Sequence, residues 1–265
     1  MCGSVSEVVA AGYDAVYRAW SASPAFHELW ARYAVEGGVA PGFEHLNFVR
    51  VAELERLRDM LDLSAGDRIV DLACGAGGPG VWVAHETNGV LVGVDLSRVG
   101  IRLAAQRAAA RHQAAAAFMV ASVDRLPLVD SCAVGVMSLD SLQYAPDKRT
   151  TFAEAARVLV HGGRFAFTAF EVDPQRVRDV PVLGVDPVAD YATLLRDVGF
   201  TVDTYEETPG WRQRLVAAYS AVVAGEPALR PELGDDAMDA LLGEMSVTLQ
   251  IDPYRRRVFA VARSA

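Results

Sequence analysis

Between Asp67 and Phe170 short apolar runs alternate with stretches of helical period. "DRIVDLA" and "VLVGVD" read as buried strands, and "AAFMVAS", "AVGVMSL" and "RFAFTAF" as a third, fourth and fifth. Continuous runs of this length and composition suit a sheet covered on both faces. Between them, Pro79 to Glu86 reads as a helix with proline in its first turn, and Ser97 caps a helix carrying Ile101, Ala104, Ala105 and Ala108. Asp147 to Val160 is predicted as a helix that stops at His161-Gly162-Gly163. Such alternation predicts a parallel sheet joined by right-handed crossovers.

The flanks differ. From Val5 to about Leu61 the period is helical and rich in aromatics, with "EGGVAPGFEHLNF" as a break. Residues 1–60 therefore read as a helical segment that either packs on the core or forms a lid over a small-molecule site, with Gly37-Gly38 as a hinge. After Glu171 come a helix in "DPVADYATLLRDVGF", a strand in "TVDTYEET", two helices (Trp211 to Val223 and Asp235 to Met245) and a last strand in "RRVFAVARS". The chain from 61 to 265 is thus expected to be one α/β core with a helical insertion around 209–250. Arg255-Arg256-Arg257 reads as outward arginines on the last strand.

Composition narrows the function. The 265 residues are 52% hydrophobic, enough for one elaborated domain, and carry a net charge of −9. That charge, without a basic face, argues against nucleic acid as partner. No apolar run approaches the roughly 20 residues that span a bilayer, so the expectation is a cytoplasmic protein, monomer or homodimer. Three widely spaced cysteines give neither a disulfide framework nor a metal knuckle, and Cys74 and Cys132 read as small buried residues. The acids do not announce a set of metal ligands, so metal independence is expected.

Chemistry concentrates in "VDLACGAGGPGVWVA", which contains the spacing G-x-G-x-x-G between a strand and a helix, with Asp95 closing the next strand. Glycines at such a turn admit a ligand close to the backbone, next to the free N–H groups of a helix start. The pattern alone fits the pyrophosphate of NAD or another nucleoside-bearing cofactor. Asp71, four positions before Gly75, favours the second, because a carboxylate there suits a cationic amino acid moiety better than a pyrophosphate.

Taken together, "DLACGAGGPG", "VGVDLS", "ASVDRLP", "SLDSLQYAPD", "EAARVLVHGGRFAFTAFE" and "YRRRVFAVARS" resemble a class I S-adenosylmethionine-dependent methyltransferase of the small-molecule type found in bacterial secondary metabolism. The resemblance implies a Rossmann-like three-layer sandwich whose seven-stranded, mostly parallel sheet has an antiparallel last strand. It places Asp71, Ala73, Gly75 and Gly77 around the methionine end of the cofactor, Ala73 standing where the family usually has glycine. Asp95 matches the acid that accepts from both ribose hydroxyls. Leu96 would line the adenine, and Ser122 and Val123 stand where the family has its adenine-amine acceptor, Ser122 in place of an acid.

The implied reaction moves the methyl group of S-adenosylmethionine to O, N or C of a small metabolite and leaves S-adenosylhomocysteine. Two alternatives are a cyclisation or decarboxylation with the cofactor in a structural role, and an NAD-dependent oxidoreductase. Relatives often carry histidine after the fourth strand; here Gln143 and Tyr144 stand there. At the carboxyl ends of the strands remain Asp140, Gln143, Tyr144 and Glu171. Asp140 is expected either to serve the acceptor, orienting it or taking its proton, or to contact the cofactor's amino group or a neighbouring helix N-terminus. His45 is the histidine best placed as a base, and Tyr17, Trp20 and Trp211 either wall an acceptor pocket or fill the core.

Overall fold

A computed structural model describes residues 5–35, 43–113, 115–175, 177 and 187–265. The Gly37-Gly38 hinge lies outside them. Seven strands form one sheet: β1 (Arg68–Leu72), β2 (Val90–Asp95), β3 (Ala116–Val120), β4 (Ala133–Leu139), β5 (Leu159–Val172), β6 (Phe200–Glu207) and β7 (Arg255–Ser264). Their order is β3-β2-β1-β4-β5-β7-β6, and β7 runs antiparallel to both β5 and β6. The remaining pairs are parallel, so the expected sheet stands.

Side chains alternate across each strand, and the two faces bury different layers. On β1, Val70 and Leu72 join one apolar cluster with Phe152, Phe165 and Tyr191. Ile69 joins the other, with Leu54, Leu57 and Leu61 of α3 (Val51–Leu61) and Val81, Val83 and Ala84 of α4 (Gly78–Thr87). Asp71 is therefore on the α4 face by register. The helix after β2, α5 (Arg98–Ala110), is capped by Ser97, whose hydroxyl accepts from the Gly100 amide at 2.9 Å. The next two helices are α6 (Lys148–Val158) and α7 (Tyr191–Asp197).

A third apolar cluster lies beyond the sheet. In it α1 (Val5–Ala22) and α2 (Pro24–Tyr33) pack against α8 (Trp211–Leu233) and α9 (Asp235–Ile251), through Tyr17, Trp20, Trp30, Leu215, Tyr219 and Met245 among others. The amino-terminal helices and the late insertion thus form one layer. The insertion's first helix is ten residues longer than the sequence indicates, because Pro227 and Pro231 lie within it instead of ending it.

Two further expectations are corrected. The Gly162-Gly163 pair does not follow a helix; α6 ends at Val158 and β5 already runs through it, with a register shift opposite Ala133 and Gly135. Gly162 has φ +77°, and a side chain on Gly163 would meet the Val134 carbonyl, so glycine serves an irregular strand. The arginines of β7 do not point outward as a group. Arg256 does, but Arg255 and Arg257 share the opposite face and are buried, Arg257 completely.

Candidate active site and cofactor cavity

A cavity of about 120 Å³ lies at the carboxyl ends of β1, β2 and β4, under α1 and the 43–48 segment. Its floor is the turn after β1. Ala73 takes φ +55°, a left-handed conformation that costs an alanine about 1–2 kcal/mol and a glycine almost nothing. This is the backbone reason for the family's glycine at that position. Gly75 also has positive φ, and a Cβ there would overlap the Tyr17 hydroxyl; Gly77 caps α4 at φ +76°, where a Cβ would come within 2.7 Å of Ala104 Cβ.

Two carboxylates face this floor. Asp95 accepts from the Gly75 amide at 2.8 Å and from the Ser97 amide at 2.7 Å, one bond on each oxygen, which leaves each oxygen a free lone pair. Asp71 is almost fully buried and receives no hydrogen bond from any described residue; its carboxylate lies where a Cβ on Gly80 would collide. Burial and the neighbouring Asp95 push its pKa well above the usual carboxylate range. A buried acid left without a donor is costly. A cationic ligand group would remove that cost.

Of the residues singled out from sequence, Tyr17, Trp20, His45, Ala73, Gly77, Leu96, Val123, Asp140 and Tyr144 line the cavity together with Asp71 and Asp95. Gly75 is outside the lining and donates its backbone N–H to Asp95, which is part of it. Ser122, Gln143, Glu171 and Trp211 do not line it. Ser122 donates to Asp124, and the Gln143 amide donates to the Asp140 carbonyl at 2.8 Å. Glu171 is buried and occupied by the Tyr191 amide, the Tyr205 hydroxyl and Arg256. Trp211 is packed against Phe170 and donates to Glu207 at 3.0 Å.

Asp140 differs from expectation in its partners. Its backbone is left-handed, at φ +52°, and both oxygens are taken: Arg257 Nε donates to Oδ1 at 2.8 Å, and Oδ2 accepts from Arg257 Nη2 at 3.2 Å and from the Phe48 amide at 2.9 Å. Arg257 in turn donates to Glu53 of α3 at 2.7 Å and to Thr208 at 2.9 Å. Asp140 therefore anchors the 43–48 segment and the last strand. His45, on that anchored segment, has both ring nitrogens buried without hydrogen-bond partners among the described residues, and burial lowers its pKa to about 4.

Sequence reasoning missed Tyr13, which lines the cavity one turn before Tyr17, and Glu44, which faces it while paired with Arg107 at 3.5 Å. The i,i+4 spacing of the two tyrosines was the available signal. Helix α1 is held over the site by Asp14, which accepts from Ser97 Oγ at 2.6 Å and from the Val99 amide at 3.0 Å.

Residues 69–163, which build the floor of this cavity, match the family model described as a methyltransferase domain. Over these residues the chain is similar to the methyltransferase family. Among curated relatives of this family, 27-O-demethylrifamycin SV methyltransferase of Amycolatopsis mediterranei is 33% identical over 174 residues, covering 59% of this chain and 64% of the relative. Methyltransferase GfsG of Streptomyces halstedii is 33% identical over 113 residues, covering 42% of this chain and 41% of the relative. The chain thus spans less than two thirds of the length of either. Among solved structures, the [4+2]-cyclase SpnF superposes with a TM-score of 0.75 at 20% identity, covering 98% of this chain and 96% of SpnF; at that identity the likeness is one of fold.

The family's cofactor is S-adenosylmethionine, and the residues present fit it. Asp71 lacks a donor where an ammonium would supply one, Asp95 keeps lone pairs for two hydroxyls, and the glycine floor leaves the backbone accessible.

Proposed function

We propose that this protein transfers a methyl group from S-adenosylmethionine to a small metabolite, in the manner of natural-product methyltransferases. The observation that carries this reading is the pair of buried carboxylates at one cavity floor, Asp71 without a donor and Asp95 with one free lone pair on each oxygen. The relatives named above support it.

When bound, the cofactor supplies a methyl carbon already activated by a sulfonium. Asp71 would meet its ammonium group, Asp95 its ribose hydroxyls, and Leu96 and Val123 its base. The chain's own contribution is then to position an acceptor in line at roughly 3–3.5 Å and to keep water out. Tyr13, Tyr17, Trp20 and Tyr144 also line the cavity, a set that suits an amphipathic acceptor. In this reading α1 and α2, backed by α8 and α9, are the lid, and the acceptor is a cytoplasmic small molecule rather than a nucleic acid. Among the described residues no helix is long and apolar enough to cross a membrane.

Isothermal titration with S-adenosylmethionine, S-adenosylhomocysteine and NAD, followed by product analysis with methyl-labelled cofactor, tests the reading. Micromolar adenosyl binding, no NAD binding and label in the product are expected. Binding of NAD alone would overturn it, and turnover without label transfer would point to a cyclase-like use of the cofactor.

A further inference from the structure

The acceptor side of the cavity ends in a cluster of phenols backed by one carboxylate. Tyr144, in the turn Leu142–Tyr144 after β4, lines the cavity and donates its hydroxyl to Glu244 Oε1 of α9 at 3.2 Å. Tyr13 of α1 lines the cavity beside it, its ring edge-on to Tyr144 at 5.2 Å between centroids. Glu244 itself is outside the cavity lining and reaches it through the Tyr144 phenol.

The other acids facing the cavity are committed. Arg257 and the Phe48 amide occupy Asp140, Arg107 holds Glu44, and Asp71 and Asp95 stand at the glycine floor. The groups on the acceptor side are thus neutral hydroxyls with a proton acceptor behind them. That arrangement serves a nucleophile that is neutral and must lose a proton, and gives no carboxylate contact to a cationic amine.

On the methyl-transfer reading above, we propose that the acceptor is a hydroxyl compound and that its proton leaves through Tyr144 to Glu244. As the acceptor oxygen forms its bond to the methyl carbon, the carbon–sulfur bond breaks and its electron pair stays on sulfur. The acceptor's proton passes to Tyr144 Oη while the phenolic proton passes to Glu244 Oε1. Glu244 ends as a neutral carboxyl and returns the proton to solvent between turnovers. Tyr144 is the catalytic residue, and Glu244 a positioning residue that sets the phenol's direction and receives its proton.

The electrostatics agree with this geometry. Burial raises Glu244 above the usual carboxylate range, which makes it the stronger base, whereas burial leaves His45 a weak one at about 4. The titratable groups facing Glu244 are Tyr144, Tyr13 of α1 and Tyr219 of α8, with Arg255 of β7 next to Tyr144 and Tyr219. Burial, and then Glu244, hold the Tyr144 phenol well above its ordinary pKa, so it stays protonated and able to relay.

The test uses the whole protein, methyl-labelled S-adenosylmethionine, and matched panels of phenols and alcohols on one side and amines on the other. Label is expected in hydroxyl compounds. With the best of them, Glu244→Gln and Tyr144→Phe should each lower kcat by about 10²–10⁴-fold. Wild-type kcat should fall toward acid as Glu244 protonates, Glu244→Gln should lose that acid limb, and Glu244→Asp should recover part of both. S-adenosylhomocysteine should bind Glu244→Gln within about twofold of wild type in titration, which shows that the variant is folded. Transfer to amines alone, no transfer to any hydroxyl compound while S-adenosylhomocysteine binds, or an unchanged acid limb in Glu244→Gln would each overturn the proposal. Failure of S-adenosylhomocysteine to bind the wild type would instead refute the methyl-transfer reading.

Discussion

Arg257 and Asp140 meet in a two-point ion pair, 2.8 Å from Nε to Oδ1 and 3.2 Å from Nη2 to Oδ2, with the arginine side chain wholly removed from solvent. The pair joins β7 to the carboxyl end of β4, and Glu53 extends it to α3. Fully buried charges are stable only while paired.

Arg257→Met should therefore leave two buried carboxylates short of their partner and cost about 3–5 kcal/mol. Asp140→Asn, which keeps the shape, should cost less. Urea unfolding midpoints measure both, and the double variant should lose less than the sum of the single losses. Additive losses would mean that the two side chains are not coupled.

Asp95 holds the glycine turn and, in the proposed complex, the ribose. Asp95→Ala should weaken S-adenosylhomocysteine binding by at least about 100-fold, since hydrogen bonds to a charged group contribute about 1.5–3 kcal/mol each. Asp95→Asn should lie between that variant and wild type. Calorimetric titration gives the affinities directly.

Asp71 makes a pH prediction. Its folded pKa lies above its unfolded value, so its contribution to stability is present below the ordinary carboxylate pKa of 3.8 and is lost as pH rises through the folded value. An ammonium ligand favours the ionised form, so binding should expel a proton. The measured binding heat should then vary with the ionisation enthalpy of the buffer, and Asp71→Asn should remove the variation.

His45 makes the opposite one. Its pKa falls from an ordinary 6.5 to about 4 in the folded chain, so the stability it permits is full above 6.5 and drains as pH falls toward 4. The loss should approach about 3 kcal/mol. Denaturant titrations at several pH values should show this slope in wild type and a flatter one in His45→Gln.

The sheet was readable from sequence because buried parallel strands announce themselves as unbroken apolar runs: "VLVGVD" and "AVGVMSL" coincide with β2 and β4 residue for residue. The glycine turn was readable because its spacing reflects a backbone constraint, seen in the positive φ of Gly75 and Gly77. Arg257 was not readable. Its neighbours Arg255 and Arg256 make it look like a solvated run, and its partners Asp140 and Glu53 are 117 and 204 residues away in the chain. Glu244 was hidden for the same reason, since only the packing of α9 brings it to Tyr144 across 100 residues. Pairings across such distances leave no periodic trace.

The position of β7 between β5 and β6 also has a consequence during synthesis. The residues of β6 leave the ribosome before those of β7, yet among the described residues β6 pairs with no strand but β7. Until residues 255–264 emerge, β6 lacks its partner strand, and Asp140 meets the segment carrying His45 through the Phe48 amide without the guanidinium that orients its carboxylate. The ion pair that steadies Asp140 at the cavity wall thus forms only after the residues that line the cavity have all been made.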